Sequence, residues 1–334
     1  MAPVEARGVI GEFLGDVHVH ELGRGRGAGA GLALEYMRRA LLTVSTRKLT
    51  RVDVVVTASH FLPDAAALAS SVRRGALGVS YVYHLVAGRR SLGPRTLWSK
   101  SDERIGLALL RRFAGVVFVS NAQTAAALGA RGFDPVRTAV GVDVASFPRV
   151  VPSALPPQGA FVARMAHTKG VTDAIETWAR VQKALPAARL VMVGTGPERE
   201  AGAALAERVG LSDSVDWPGF VSEDEKRRIL GESRVFLAPS YEEGWGISVC
   251  EALASGVPVV AYRHPVLDEL FDGAYLGAQA GDVNGLAELA VSVLRNDALA
   301  DSFSARGHET AERYDVARVA EQELETILRT RCGS

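Results

Sequence analysis

Short, wholly apolar runs alternate with helix-length segments along most of this chain. The rhythm is cleanest in the second half, where runs at 159–165, 188–194, 215–220, 235–240 and 257–262 are separated by ten or more residues each. A strand that is apolar throughout has both faces covered, the mark of a parallel sheet flanked by helices. Residues 282–331 read as helical. The first half repeats the rhythm less regularly. It offers a helix at 32–44, a buried strand at 52–59, and a helix opened by Pro63 in its first turn that ends near Arg74. A strand at 79–86, a helix ending at Arg112 and a strand at 115–121 follow. Asn121 is placed to cap a helix running to Arg131, and 138–144 closes this half. Between the halves, 148–159 holds four prolines without periodicity, as a domain boundary does. The pattern predicts an α/β protein of two Rossmann-like, doubly wound parallel sheets, residues 1–150 and 151–316. A terminal helix at 317–334 is expected to pack back on the first domain. Such sheets bind ligands outside the C-terminal ends of their strands, here in a central cleft that the two domains face.

The extreme N-terminus does not share this rhythm. Asp16-Val-His-Val-His-Glu21 alternates as a strand and sets His18 and His20 on one face, but no third metal ligand lies nearby, so a structural role is expected. The glycine-rich stretch 23–31 lacks the Lys-Ser/Thr ending of a P-loop and the spacing of a dinucleotide fingerprint, and reads as a flexible loop.

Composition narrows the setting. The 334 residues suit two domains, and 48% hydrophobic content supplies ample core. The zero net charge conceals an asymmetry: residues 1–150 carry 20 Lys/Arg against 11 Asp/Glu, and the remainder 18 against 27. Arg89, Arg90, Arg95 and Lys100 fall in one loop of the basic half. That half suits an anionic partner or a membrane surface, or simply an arginine-decorated exterior. Two cysteines, Cys250 and Cys332, exclude a disulfide framework or Cys-rich zinc site and fit a reducing compartment. No apolar run approaches the ~20 residues of a membrane span. The chain is expected in the cytoplasm, at most peripheral at the inner membrane face.

The chemistry concentrates in Glu243-Gly-Trp-Gly-Ile-Ser-Val-Cys-Glu251, directly after the strand at 235–240. A strand, a glycine turn and a helix start point backbone N–H groups at an electropositive helix terminus, which binds anions. Two carboxylates around it could grip ligand hydroxyls or simply be solvated. Arg164 and Lys169 stand at the end of the strand at 159–165, a bidentate fork and a point charge suited to a diphosphate or to a surface ion pair. Val191-Met-Val-Gly-Thr-Gly-Pro-Glu198 runs a strand into a close-approach turn, but Arg199 stands where a dinucleotide fingerprint needs its third glycine. Pro197 is placed to open the next helix.

These pieces, in this order, resemble the donor domain of retaining GT-B glycosyltransferases of the family 4 type, the glycosyl transferases group 1. The resemblance covers roughly 110–320. It rests on Ala163-Arg164 with Lys169-Gly170, Gly194-Thr-Gly196, Gly219-Phe-Val221, Ala238-Pro-Ser-Tyr-Glu-Glu-Gly-Trp-Gly246, Glu251-Ala252, Ser255-Gly-Val-Pro-Val-Val260 and Gly281-Asp282. It implies a hexosyltransferase that moves sugar from a nucleotide diphosphate sugar to an acceptor hydroxyl (glycan, lipid or small natural product), with retention, no metal and no cofactor. Arg164 and Lys169 would take the diphosphate, Glu243 the donor sugar and Glu251 the ribose hydroxyls. Gly194 and the backbone of Val221 would flank the nucleotide. The amides of Gly244, Trp245, Gly246 and Ile247 would approach sugar and phosphates. In the first, acceptor-side domain, His84 matches a strand-end histidine that faces the cleft, with His60 a second candidate. Family members open with an extra strand, glycine turn and helix, so this chain is expected to lack its first β-α-β unit. The second reading is a non-catalytic nucleotide-sugar-binding or partner subunit with a degenerate acceptor domain.

Overall fold

The computed structural model describes residues 52–83, 85 and 94–332. The chain divides into two units: residues 1–119, 124–137 and 327–334, and residues 120–123 and 138–326. The division falls ahead of the proline-rich stretch. The fold is GT-B, each described unit built on its own parallel sheet.

The first unit holds β1 (Val54–Thr57), α1 (Leu62–Val72), β2 (Leu77–Val82), α2 (Pro94–Phe113), β3 (Val116–Val119), α3 (Ala122–Gly129) and β4 (Val136–Arg137). Their sheet order is β1-β2-β3-β4, all parallel. Leu68, Val82, Leu107, Leu110, Val119 and Leu128 form the core on one face, and Val79, Val116 and Phe118 face the other. Ile327, from the last turns of the C-terminal helix, joins that second cluster. β1 corrects the expectation of a buried strand. It ends the described sheet order, and Val56 is 55% exposed.

The second unit holds β5 (Gln158–Val162), α4 (Val171–Ala184), β6 (Arg189–Val193), α5 (Arg199–Arg208), β7 (Val215–Gly219), α6 (Glu223–Gly231), β8 (Val235–Ala238) and α7 (Ile247–Ala254). Then come β9 (Val259–Tyr262), α8 (Pro265–Phe271), β10 (Tyr275–Ala278), α9 (Val283–Arg295), α10 (Asp297–Glu312) and α11 (Val316–Cys332), whose residues from 327 onward are grouped with the first unit. The helix after β6 starts at Arg199, not at Pro197. β10 went unread in the sequence because Tyr-Leu-Gly-Ala is too short and too small to announce a strand. The helical tail consists of α9, α10 and α11.

The sheet order is β10-β9-β8-β5-β6-β7. Consecutive residues go to opposite faces. Ala160, Val191, Phe236 and Val259 join one apolar layer with Trp245, Leu253 and Phe271. Phe161, Met192, Leu237 and Val260 join the other with Ile175, Trp178 and Leu286. This two-sided burial is what the wholly apolar runs encode. The order also fixes where a ligand can sit. From β5 the chain winds outward through β6 and β7, then returns to lay β8 on the other side of β5. The loops leaving β5 and β8 therefore diverge at a topological switch point and leave a crevice at the strand ends.

Candidate functional site

Two loops meet at that switch point. The loop after β5 carries Arg164, then a short 3-10 turn, His167–Lys169. The loop after β8 carries Tyr241, Glu242 and Glu243. The backbone N–H groups of Tyr241 and Glu242 both donate to the Thr168 carbonyl, at 2.8 and 3.3 Å, and so dock one loop on the other. The hydroxyls of Tyr241, on this loop, and of Tyr262, at the end of β9, donate to a single Asp173 oxygen at 2.6 and 2.7 Å, and the Tyr241 bond ties the loop to the first turn of α4. The hydrogen bond to Asp173 raises the Tyr241 phenol. Burial, then Asp173, raises that of Tyr262.

With the loops docked, Lys169 Nζ lies 2.5 Å from Glu243 Oε1 and donates to the Glu242 carbonyl at 3.2 Å. The two side chains, 74 positions apart, form one ion pair in which Glu243 is only 9% exposed. Arg164 is exposed, and its side chain makes no hydrogen bond or ion pair with a described residue; its carbonyl accepts from the Ala166 N–H at 2.8 Å. It lines a cavity of about 360 Å³ together with Ala163, Gly194, Val221, Glu223 and Lys226. Phe220, 84% exposed, stands at its edge.

Gly194 is required here by backbone packing. Its φ is +130°, and a Cβ would sit 1.9 Å from the Ala163 carbonyl oxygen. At this turn the chain leaving β6 passes close to the chain leaving β5.

The stretch after Glu243 turns into α7. Gly246 is the N-cap at φ +94°, and no side chain caps the helix, so its first N–H groups have no side-chain acceptor. Ile247, in the first turn, is 49% exposed. Gly244 is open on its Cα side, and its carbonyl accepts from Asn121 Nδ2, a residue grouped with this unit, at 2.8 Å. The Trp245 side chain points the other way. It is buried, edge-on to Phe271 and Tyr314 at 5.5 and 5.2 Å, so only its backbone is available to a ligand.

Glu251 lies inside α7 among the buried residues Val249, Cys250, Ala252, Leu253 and Ala254. Burial raises its carboxyl above the ordinary range, and the hydrogen bond from Lys226 pulls it partly back. Lys226 Nζ is 2.7 Å from Glu251 Oε1 and 2.8 Å from Glu223 Oε2. Burial works against the Lys226 charge, but the two carboxylates outweigh it and raise that ammonium above its usual value. Residues 243 and 251 thus form two separate ion pairs, each with a lysine from a different helix or turn.

The sequence did not point to Lys226. The local signal was present: Ser222 accepts from the Glu225 N–H as a helix cap at 3.2 Å, and Glu223 and Lys226 are spaced i,i+3. Only the packing of α6 near α7 adds Glu251. His264 was also passed over. Its Nδ1 accepts from the Val266 N–H at 3.2 Å as the cap of α8. Burial lowers its basicity, with Glu243 and Lys169 among its charged neighbours. His60 is a core residue, 2% exposed, stacked on Phe61 at 4.4 Å and 3.4 Å from Glu103 Oε1. His84 lies outside the described residues, as do His18, His20 and the glycine-rich stretch. Among the described residues no group of three or more His, Cys, Asp or Glu could hold a metal ion. No helix among them is long and apolar enough to cross a membrane.

Residues 154–310 match the family described as Glycosyl transferases group 1. This segment is a group 1 glycosyl transferase domain. Among its relatives is the WcaL protein of Escherichia coli K12, 33% identical over 201 residues, covering 57% of this chain and 49% of that one. The phosphatidyl-myo-inositol mannosyltransferase of Mycobacterium leprae is 29% identical over 224 residues, covering 63% and 58%. A 2-deoxystreptamine glucosyltransferase of Streptomyces kanamyceticus is 35% identical over 168 residues, covering 46% and 43%. The chain spans about half the length of the curated relatives it matches. Among solved structures, Anabaena HepE in complex with UDP-glucose superposes with a TM-score of 0.74 at 16% identity, over 98% of this chain and 89% of that one. Sucrose-phosphate synthase of Thermosynechococcus elongatus gives 0.72 at 19% identity, over 96% and 86%. The matched segment contains every candidate site residue except His84 and His60.

Proposed function

We propose that the chain is a glycosyltransferase that moves a hexose from a nucleotide diphosphate sugar to an acceptor hydroxyl, with retention and without a metal. The observation that carries this reading is the meeting of the two loops at the switch point. It sets Lys169 against Glu243, beside a helix start whose amides have no side-chain cap and near a cavity lined by Arg164. The relatives are named as sugar transferases with chemically different acceptors, a phosphoinositide lipid and an aminocyclitol among them, so the acceptor class is not carried over.

In this reading the nucleotide lies along the cavity, with Gly194 and the Val221 backbone beside the base and Glu251 on the ribose. The diphosphate sits between Arg164, Lys169 and the amides of Gly246 and Ile247, and Glu243 holds sugar hydroxyls. The bond between the anomeric carbon and the diphosphate oxygen breaks, and the nucleoside diphosphate leaves with the electron pair. Negative charge grows on that oxygen. Two cations and oriented amides stabilise it more than they stabilise the bound donor, which is the condition for catalysis. The acceptor oxygen bonds to the anomeric carbon on the face being vacated, which preserves configuration, and its proton passes to the departing phosphate. Glu243 and Glu251 are hydroxyl acceptors and not nucleophiles.

The test begins with nucleotide sugars screened by thermal shift, since a ligand at 100 times its Kd adds about 2.7 kcal/mol of apparent stability. Donor turnover by Arg164→Ala and Lys169→Ala is then measured. Each is expected to lose about 10² or more in kcat, the scale of removing one donor to a developing oxyanion. Parental turnover in both variants would overturn the diphosphate assignment. Binding of a donor with neither transfer nor slow hydrolysis would overturn the assignment of catalysis.

A further inference from the structure

Glu251 is a buried acid in a helix that is otherwise uncharged, and its carboxylate has one cationic partner among the described residues. A buried charge of this kind persists only when paired and hydrogen-bonded. The partner, Lys226, comes from α6 and is itself 13% exposed at the side chain. Its ammonium has three N–H groups. One goes to Glu251 Oε1 at 2.7 Å and a second to Glu223 Oε2 at 2.8 Å. Lys226 also lines the cavity with Arg164, Gly194 and Val221, so the pair borders the space where a nucleotide would lie. Glu251 Oε2 accepts no hydrogen bond from a described residue.

We propose that Lys226 is a positioning residue for the nucleotide: it holds Glu251 ionised and turned so that the second carboxylate oxygen can accept the ribose hydroxyls. Glu223 draws the same ammonium from the cavity side and fixes it between two anions. The inference rests on the nucleotide-sugar reading above. It adds that the grip on ribose is a two-helix device in which α6 charges and aims a residue of α7. Without the lysine, burial favours a protonated Glu251, which presents one acceptor fewer and an O–H in place of an anion. Arg227, on α6, and Glu223 are the other charged groups that act on Glu251. Neither replaces Lys226, because Arg227 makes its close ion pair with Asp224 and Glu223 repels the carboxylate.

The test uses the full chain with UDP, GDP, ADP and CDP as probes in calorimetric titrations. The tightest of them is then compared with its 2′,3′-dideoxy form. In the unmodified chain, removal of the ribose hydroxyls is expected to weaken binding about tenfold or more, the scale of hydrogen bonds to a charged group. Lys226→Met should lose a similar factor for the natural nucleotide and should no longer distinguish it from the dideoxy form. Lys226→Arg should restore most of both. A role in folding alone would lower the melting temperature without erasing that distinction. If Lys226→Met does not fold, Lys226→Gln is read on the same contrast. Equal affinity of Lys226→Met and the parent for the natural nucleotide would overturn the proposal. So would an equal loss for both nucleotide forms, which would put Lys226 on the base or the phosphates. Failure of the parent chain to bind any of the four probes would overturn the nucleotide reading itself, and this proposal with it.

Discussion

The Lys169–Glu243 pair allows a prediction with a worked magnitude. At 2.5 Å the gross attraction is about 6–7 kcal/mol for an effective dielectric constant near 20. Desolvation of two partly buried ions removes most of it, leaving about 2 kcal/mol, in the range of hydrogen bonds between charged groups. The two single variants should differ. Lys169→Met leaves Glu243, 9% exposed, without a cation and should cost about 2–3 kcal/mol. Glu243→Gln leaves Lys169 24% exposed and still on the Glu242 carbonyl, and should cost about 1 kcal/mol. The double variant no longer strands a charge, so it should cost about 2 kcal/mol, a coupling of roughly 1.5 kcal/mol. The assay is scanning calorimetry of the ligand-free chain, because a chain of two units need not melt in one step. Lys169→Met should lower the second unit's transition by roughly 5–10 °C, given the usual scaling for a unit of this size. Double-variant cost equal to the sum of the singles within about 0.5 kcal/mol would refute the coupling.

Further outcomes are expected from the same geometry. Gly246→Ala combines a φ of +94° with a Cβ 2.8 Å from Leu267 Cδ2, and should destabilise the chain by about 1–3 kcal/mol, seen as an earlier calorimetric transition. Burial holds the Glu251 carboxyl above its ordinary range, and hydroxyl binding uses the ionised form. Nucleotide affinity should therefore fall as pH is lowered through that raised value, at higher pH than an exposed glutamate would allow. Calorimetric titrations across the acidic range check this, and a flat profile would remove Glu251 from the ribose. Burial also pushes the Cys250 thiol up, whereas Cys332 is exposed. A disulfide reagent should therefore titrate one thiol in the native chain and two in denaturant.

The amino-acid sequence alone determined the α/β class, five of the six strands of the second unit, and the strand-end stretches that carry Arg164, Lys169, Glu243 and Glu251. That information is local. A strand buried on both faces must be apolar throughout, and a glycine before a helix start is written in neighbouring residues. The sequence could not tell which strands lie side by side. Lys169 and Glu243 meet because β8 lies against β5, and that follows from the direction in which the crossovers wind. Burial of Trp245 against Phe271 and Tyr314, the exposure of Val56 on β1, and His60 in the core were illegible for the same reason. Each depends on what packs opposite, and nothing in a residue's own neighbourhood reports it. Lys226 is the sharpest case. Its i,i+3 bond to Glu223 is a property of one helix, but its hold on Glu251 belongs to two, and only the packed structure decides that a surface-patterned lysine faces a buried acid.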